Sequence, residues 1–118
     1  MEKVDIKRWD VVKVDLSDAV GSEQGRERVA VIIQNDIGNI HSPTTIIMPF
    51  THVIKKLYIP THALIRRSKA NGLKMDSMIL GEQMRVISKQ RIINKIGTIT
   101  EKEYQREIRR VYDASFGD

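Results

Sequence analysis

The densest collection of reactive side chains is one segment, Gly21-Ser22-Glu23-Gln24-Gly25-Arg26-Glu27-Arg28. It sets a hydroxyl, two carboxylates, an amide and two guanidiniums just before a run of β-branched residues. Taken as a polar stretch, it is a solvated loop. Its last residue supports a second reading. Arg28 stands where loop gives way to strand and the chain becomes rigid. A guanidinium fixed there binds phosphate through two parallel N–H bonds and stabilises charge that develops on it. Other chemistries lack their residues. There is no cysteine, hence no thiolate nucleophile, thiolate zinc site or disulfide. His41, His52 and His62 are too far apart in sequence for a His-x-x-x-His metal motif. The carboxylates are scattered, which does not indicate a two-metal site. Gly21-x-x-x-Gly25 is followed by Arg26 and Glu27, not by Gly-Lys-Ser/Thr, so it is not a P-loop.

The surrounding elements must hold that guanidinium. Residues 10–16 alternate, with Val12, Val14 and Leu16 on one face and Val11, Lys13 and Asp15 on the other, which predicts a half-buried strand. Val29-Ala30-Val31-Ile32-Ile33 predicts a central strand buried on both faces. Asn35-Asp36-Ile37-Gly38-Asn39 is turn chemistry, ended by Ser42-Pro43. Residues 44–50 predict a third strand, with an edge or bulge at Pro49. Residues 61–65 and 77–87 predict two more, separated by a basic loop with Arg66, Arg67, Lys69 and Lys74. Residues 89–96 predict a short helix. Thr100-Glu101-Lys102-Glu103 is a capping box opening a C-terminal helix, with Tyr104, Ile108, Val111, Tyr112 and Ser115 on its packed face and Gly117 as its stop. Short strands joined by turns, then one helix, predict a mostly β (α+β) fold: a small antiparallel barrel with a C-terminal helix.

At 118 residues the chain is expected to form one domain over residues 1–118, large enough for a core of its own. The net charge of +5 lies wholly in residues 61–118, which hold twelve basic and seven acidic side chains, while residues 1–60 balance at eight each. That surplus suits a polyanion such as nucleic acid. Charges crowd the N-terminus where a signal peptide needs an apolar stretch, and no apolar run approaches the ~20 residues of a membrane span. A soluble, cytoplasmic protein is expected.

Several strings are distinctive: Val20-Gly21-Ser22-Glu23-Gln24-Gly25, Arg28, Gln34-Asn35-Asp36-Ile37-Gly38-Asn39, Ser42-Pro43-Thr44-Thr45, Pro60-Thr61-His62 and Glu82-Gln83-Met84-Arg85. In composition and order the sequence resembles the MazF/PemK toxins, the ribonuclease halves of bacterial toxin–antitoxin pairs. The similarity is closest to the MazF-type toxins of Gram-positive bacteria. The resemblance implies an SH3-like barrel, a homodimer, a cognate MazE-like antitoxin that is acidic and partly disordered, and cleavage of single-stranded mRNA at a short sequence with no metal or other cofactor.

Carried over position by position, the resemblance makes Arg28 the catalytic arginine and Thr51 the catalytic threonine. It puts Ser22, Glu23, Gln24 and Asn35 in the RNA groove, Glu82 and Gln83 at an RNA-contacting pair, and Ile59 and Pro60 in the loop beside the site. The sequence departs from the family at Trp9, usually Gly, at Val29, usually Pro, and at Arg26, usually a second Gly.

Such an enzyme needs no metal because RNA brings its own nucleophile. The 2′-OH lies beside the phosphorus it attacks, and that geometry supplies much of the rate. The protein must take the 2′ proton, stabilise charge on phosphorus and assist the 5′-oxygen. Glu23, Glu27 and Glu82 are the candidate bases. His52 adjoins Thr51 and, pointing to the opposite face of a strand, reads as a surface histidine. Gln24, Asn35 and Gln83 are either readers of base edges or amides that tie down loops. Two further readings stay open: a gyrase-poisoning toxin like CcdB, against which stands the absence of a Trp-Gly-Ile ending, and an RNA-binding barrel with impaired catalysis.

Overall fold

The computed structural model describes residues 5–17 and 27–116. Strands β1 (Asp10–Asp15), β2 (Glu27–Ile32) and β3 (Thr44–Thr51) are followed by β4 (His62–Ile65), β5 (Ser77–Leu80), β6 (Arg85–Ser88) and β7 (Ile92–Thr98). Helix α1 (Asp36–His41) precedes β3, and helix α2 (Lys102–Phe116) ends the described chain. All pairings are antiparallel, in the order β4-β5-β3-β2-β1-β7, with β6 also on β3. The expected mostly β fold with a C-terminal helix is what forms.

Period-two alternation makes the sheet two-faced. Val11, Val31, Met48 and Phe50 join Ile65, Ile79 and the α2 residues Ile108 and Val111 in one core. Val12, Val14, Leu16, Ala30, Ile32 and Ile47 form a second core with Ile87 and Ile92. β2 lies between β1 and β3 and sends alternate residues into both, as its unbroken apolar run predicts.

β3 belongs to both halves of the sheet, and Pro49 marks the change. The Ile46 carbonyl accepts from the Ile33 amide, 2.9 Å, so residues 46 and 48 turn their backbone groups toward β2. Residue 49 therefore faces the opposite side. There β6 pairs only as far as Ile47 and β5 begins at Phe50, so the missing N–H of Pro49 falls in the gap between them.

Five expectations need correcting. Residues 77–87 are not one strand: a 3-10 turn at Gly81–Gln83 separates β5 from β6, because these strands pair with different ends of β3. Gly81 permits the crossing, since a Cβ there would lie 2.5 Å from Val111 Cγ1 in α2. Residues 89–96 are not a helix. A 3-10 turn at Lys89–Arg91, capped by Ser88, gives way to β7 on β1, where β-branched isoleucines suit a strand. The turn signal at 35–39 is the start of α1. Helix α2 begins at Lys102, so Glu101 rather than Thr100 holds the N-cap position, and its carbonyl accepts from the amides of Tyr104 and Gln105. Tyr112 is 44% exposed rather than packed, and Gly117 lies outside the described residues.

Trp9 has φ of 79°, in the left-handed region, which accounts for glycine being usual at that position. Its ring lies under two guanidiniums, Arg8 at 4.9 Å and Arg109 at 5.6 Å, and packs on the core, which opposes the backbone strain.

Candidate active site

Arg28 sits near the start of β2, paired with Val14 of β1. The β2–β3 register runs Ile32↔Ile47, Val31↔Met48, Ala30↔Pro49. The β2–β3 pairs end there, and beyond them Arg28 reaches β3 through its side chain. The guanidinium Nη2 donates to the Phe50 carbonyl, 3.1 Å, which steadies the side chain beside Thr51. Burial pushes the Arg28 guanidinium below its ordinary pKa. The guanidinium nonetheless carries its charge on a planar fork of N–H donors. Among the described residues no carboxylate pairs with it.

Thr51 ends β3 and is half-buried; its Oγ1 accepts from the Val53 amide, 3.2 Å. Arg28 and Thr51 line the same open cleft of about 1050 Å³. Its floor includes Phe50, Leu73, Met78 and Leu80, and its rim carries Lys13, Lys55, Lys56 and Lys74. A cationic rim over an apolar floor suits a polyanion whose unstacked bases seek apolar contact.

Glu82 and Gln83 reach the cleft from the 3-10 turn at Gly81–Gln83. Glu82 is held on both oxygens: Oε1 accepts from Thr61 Oγ1, 3.0 Å, and Oε2 lies 2.9 Å from His62 Nε2. Burial raises the Glu82 carboxyl, but the hydrogen bonds from His62, its own backbone and Thr61 outweigh this and hold it below its ordinary value. The same bond to Glu82 raises His62 above its ordinary value, against the opposing pull of burial. Glu27 also lines the cleft, exposed and 3.7 Å from Lys13 Nζ.

The other expected positions divide. Asn35 is not among the cleft-lining residues; it caps α1, its Oδ1 accepting from the Gly38 amide at 2.9 Å. Ile59 and Pro60 belong to the neighbouring 52–61 loop and do not line the cleft. The Ile59 amide donates to the Lys56 carbonyl, and the Pro60 carbonyl accepts from Arg110. Ser22, Glu23 and Gln24 lie outside the described residues. Of the basic loop, Lys74 lines the cleft, whereas Arg66, Arg67 and Lys69 do not; Arg66 pairs with Asp76 at 3.7 Å. His52 is exposed and lines the cleft, because β3 ends at Thr51 and strand alternation stops applying. Sequence reasoning left His62 without a role. Its partner is twenty residues away, and the only signal was the string Pro60-Thr61-His62.

Comparison with known proteins places the chain in a family. The family model for the PemK-like, MazF-like toxin of type II toxin–antitoxin systems matches residues 7–113. Endoribonuclease EndoA of Bacillus subtilis (strain 168) is 52% identical over 91 residues, 77% of this chain and 78% of that one. Endoribonuclease MazF of Staphylococcus saprophyticus is 45% identical over 112 residues, 95% of this chain and 92% of that one. Among solved structures, a mycobacterial endoribonuclease in complex with its cognate antitoxin superposes with a TM-score of 0.77 at 17% identity, over 95% of each chain. MazF of Deinococcus radiodurans gives 0.77 at 16% identity, over 96% of this chain and 97% of that one. At such identities the structures speak to the fold, whereas the sequence matches speak to descent. With nearly its whole length matched, the chain belongs to the PemK-like, MazF-like toxins of type II toxin–antitoxin systems.

Proposed function

We propose that the cleft around Arg28 and Thr51 is the catalytic centre of an endoribonuclease that cuts single-stranded mRNA at a short sequence without a metal. The observation that carries this is that the Arg28 fork, bonded to the Phe50 carbonyl, and the Thr51 hydroxyl line one open cleft. The substrate's 2′-oxygen attacks the adjacent phosphorus and the P–O5′ bond breaks, leaving a 2′,3′-cyclic phosphate and a 5′-OH. Arg28 donates to the non-bridging phosphate oxygens as their charge rises. Thr51 hydrogen-bonds the scissile phosphate or orients the 2′-OH. The 2′ proton goes to a carboxylate, and the departing 5′-oxygen takes a proton from water in the open cleft to leave as the 5′-OH. Of the two carboxylates in the described cleft, Glu27 is the freer, since Glu82 already accepts two hydrogen bonds.

Glu82 and Gln83 contact RNA from the cleft wall, Ile59 and Pro60 from the adjoining loop, and Ser22, Glu23 and Gln24 from the segment before β2. Asn35 takes part from the N-terminus of α1. The whole chain, residues 1–118, acts as one toxin domain and as a homodimer in the cytoplasm, where mRNA is found. Its inhibitor is a MazE-like antitoxin. The cationic rim suits an acidic partner, and a solved relative of this fold is an endoribonuclease in complex with its antitoxin. Among the described residues no helix is long and apolar enough to cross a membrane.

The test is incubation of the protein with mixed-sequence RNA in EDTA. Cleavage at a recurring short motif, with cyclic-phosphate ends, is expected. Binding without cutting points to an RNA-binding barrel with impaired catalysis, and inhibition of gyrase points to a CcdB-like toxin; either overturns the proposal.

A further inference from the structure

His62 is buried between two acceptors. Its Nδ1 lies 3.0 Å from the Lys56 carbonyl and its Nε2 lies 2.9 Å from Glu82 Oε2. A neutral imidazole has one N–H and satisfies one of them; only the imidazolium donates to both. The two acceptors belong to different walls of the cleft. Lys56 is in the 52–61 loop, and Glu82 is in the 3-10 turn beside Gln83. Lys56 has φ of 55°, a left-handed conformation that a residue with a side chain keeps only when its surroundings hold it. Its carbonyl also accepts from the Ile59 amide, 3.1 Å. Other charges face this group. The Lys56 side chain opposes protonation, while Arg110 of α2 donates to the carbonyls of Pro60 and His62 and is itself paired with Glu107 at 2.9 Å. Arg110 ties down the end of the loop next to β4, so the imidazole governs the part around Lys56.

We propose that His62 acts, as an imidazolium, as a positioning residue that straps the 52–61 loop to the Glu82–Gln83 turn and so sets the width of the cleft. The proposal rests on the nuclease reading of that cleft, and it makes substrate grip proton-dependent. The bond to Glu82 raises the folded-state pKa of His62 above its unfolded value. The strap is therefore complete below the ordinary histidine value of about 6.5 and is lost as pH rises through the higher folded one.

Glu82→Gln gives the sharpest test. A neutral His62 donates from Nδ1 to Lys56 and accepts at Nε2 from the new carboxamide, so both bonds survive without the proton. Amide-exchange protection at Ile59 and His62, whose N–H groups are bonded within the loop, is the readout. Between pH 6 and 9, wild-type protection falls about tenfold, the loss expected for one charge-assisted hydrogen bond. In Glu82→Gln it stays level and high. In His62→Asn, which reaches only the Lys56 carbonyl, it stays level and low while α2 amides remain protected. Wild-type protection that ignores pH, or a Glu82→Gln protein that loses it, overturns the strap. These readouts need no RNA, so they stand or fall apart from the nuclease reading. With a mixed-sequence RNA pool, wild-type KM rises over the same pH range while kcat follows the chemical step. A flat KM alongside falling protection overturns the positioning role.

Discussion

Replacing Arg28 by Ala tests whether this guanidinium is there for the reaction or for the fold. On the folding side it makes one hydrogen bond, to the Phe50 carbonyl at 3.1 Å. Losing it costs about 1 kcal/mol net, and the freed carbonyl faces an open cleft where water replaces the donor. Opposing that loss, the half-buried cation no longer has to be desolvated. The two effects leave stability changed by no more than about 1 kcal/mol, or about 4 °C in melting temperature for a domain this size. On the catalytic side, removing a preorganised charged donor from a developing oxyanion costs about 2.7–4 kcal/mol, a loss of roughly 10²–10³ in rate. Single-turnover cleavage of a mixed-sequence RNA, read beside thermal unfolding, separates the two. Arg28→Lys keeps the charge but not the fork, which has to hold the Phe50 carbonyl and the phosphate together, so it recovers only part of the rate. Undiminished cutting by Arg28→Ala refutes the assignment. A collapse in melting temperature assigns the residue to the fold instead.

Three further outcomes follow from the same geometry. Thr51→Ala lowers the single-turnover rate by about 10² while Thr51→Ser retains most of it, because the hydroxyl and not the methyl faces the phosphate. Affinity for mixed-sequence RNA falls with salt, and the double substitution Lys55→Ala with Lys56→Ala reduces the log–log slope by about 1.4, at roughly 0.7 for each single-strand phosphate contact; an unchanged slope removes these lysines from the phosphate track. Gly81→Ala forces a Cβ to within 2.5 Å of Val111 Cγ1 and 2.8 Å of Ser115 Oγ. Denaturant unfolding should register a loss of about 1–3 kcal/mol, as for overpacking elsewhere.

The signals legible in the sequence were local ones. Alternation at 10–16 and the apolar run at 29–33 predict strands β1 and β2 correctly, because period two is local. Val11, however, expected on the outer face of a half-buried strand, is buried in the core shared with α2. The boundary position of Arg28 is equally local, and it made that guanidinium a candidate phosphate ligand before any fold was known. Thr51 came from the family resemblance, since nothing in its own neighbourhood distinguishes it.

Long-range pairing decided the rest. Residues 77–87 read as one strand until β3 is seen to offer its two ends to different partners, and residues 89–96 read as a helix until β1 supplies a ladder. Asn35 ties down its own segment as the cap of α1, one of the two roles its sequence left open. The meeting of Arg28 with the end of β3, and of His62 with Glu82, depends on how the strands are assembled and on a turn pressed against α2. Propensity and periodicity act over a few residues. Register is set by which strands bury each other's faces, so the residues that meet in the cleft are chosen by the packing of the whole sheet.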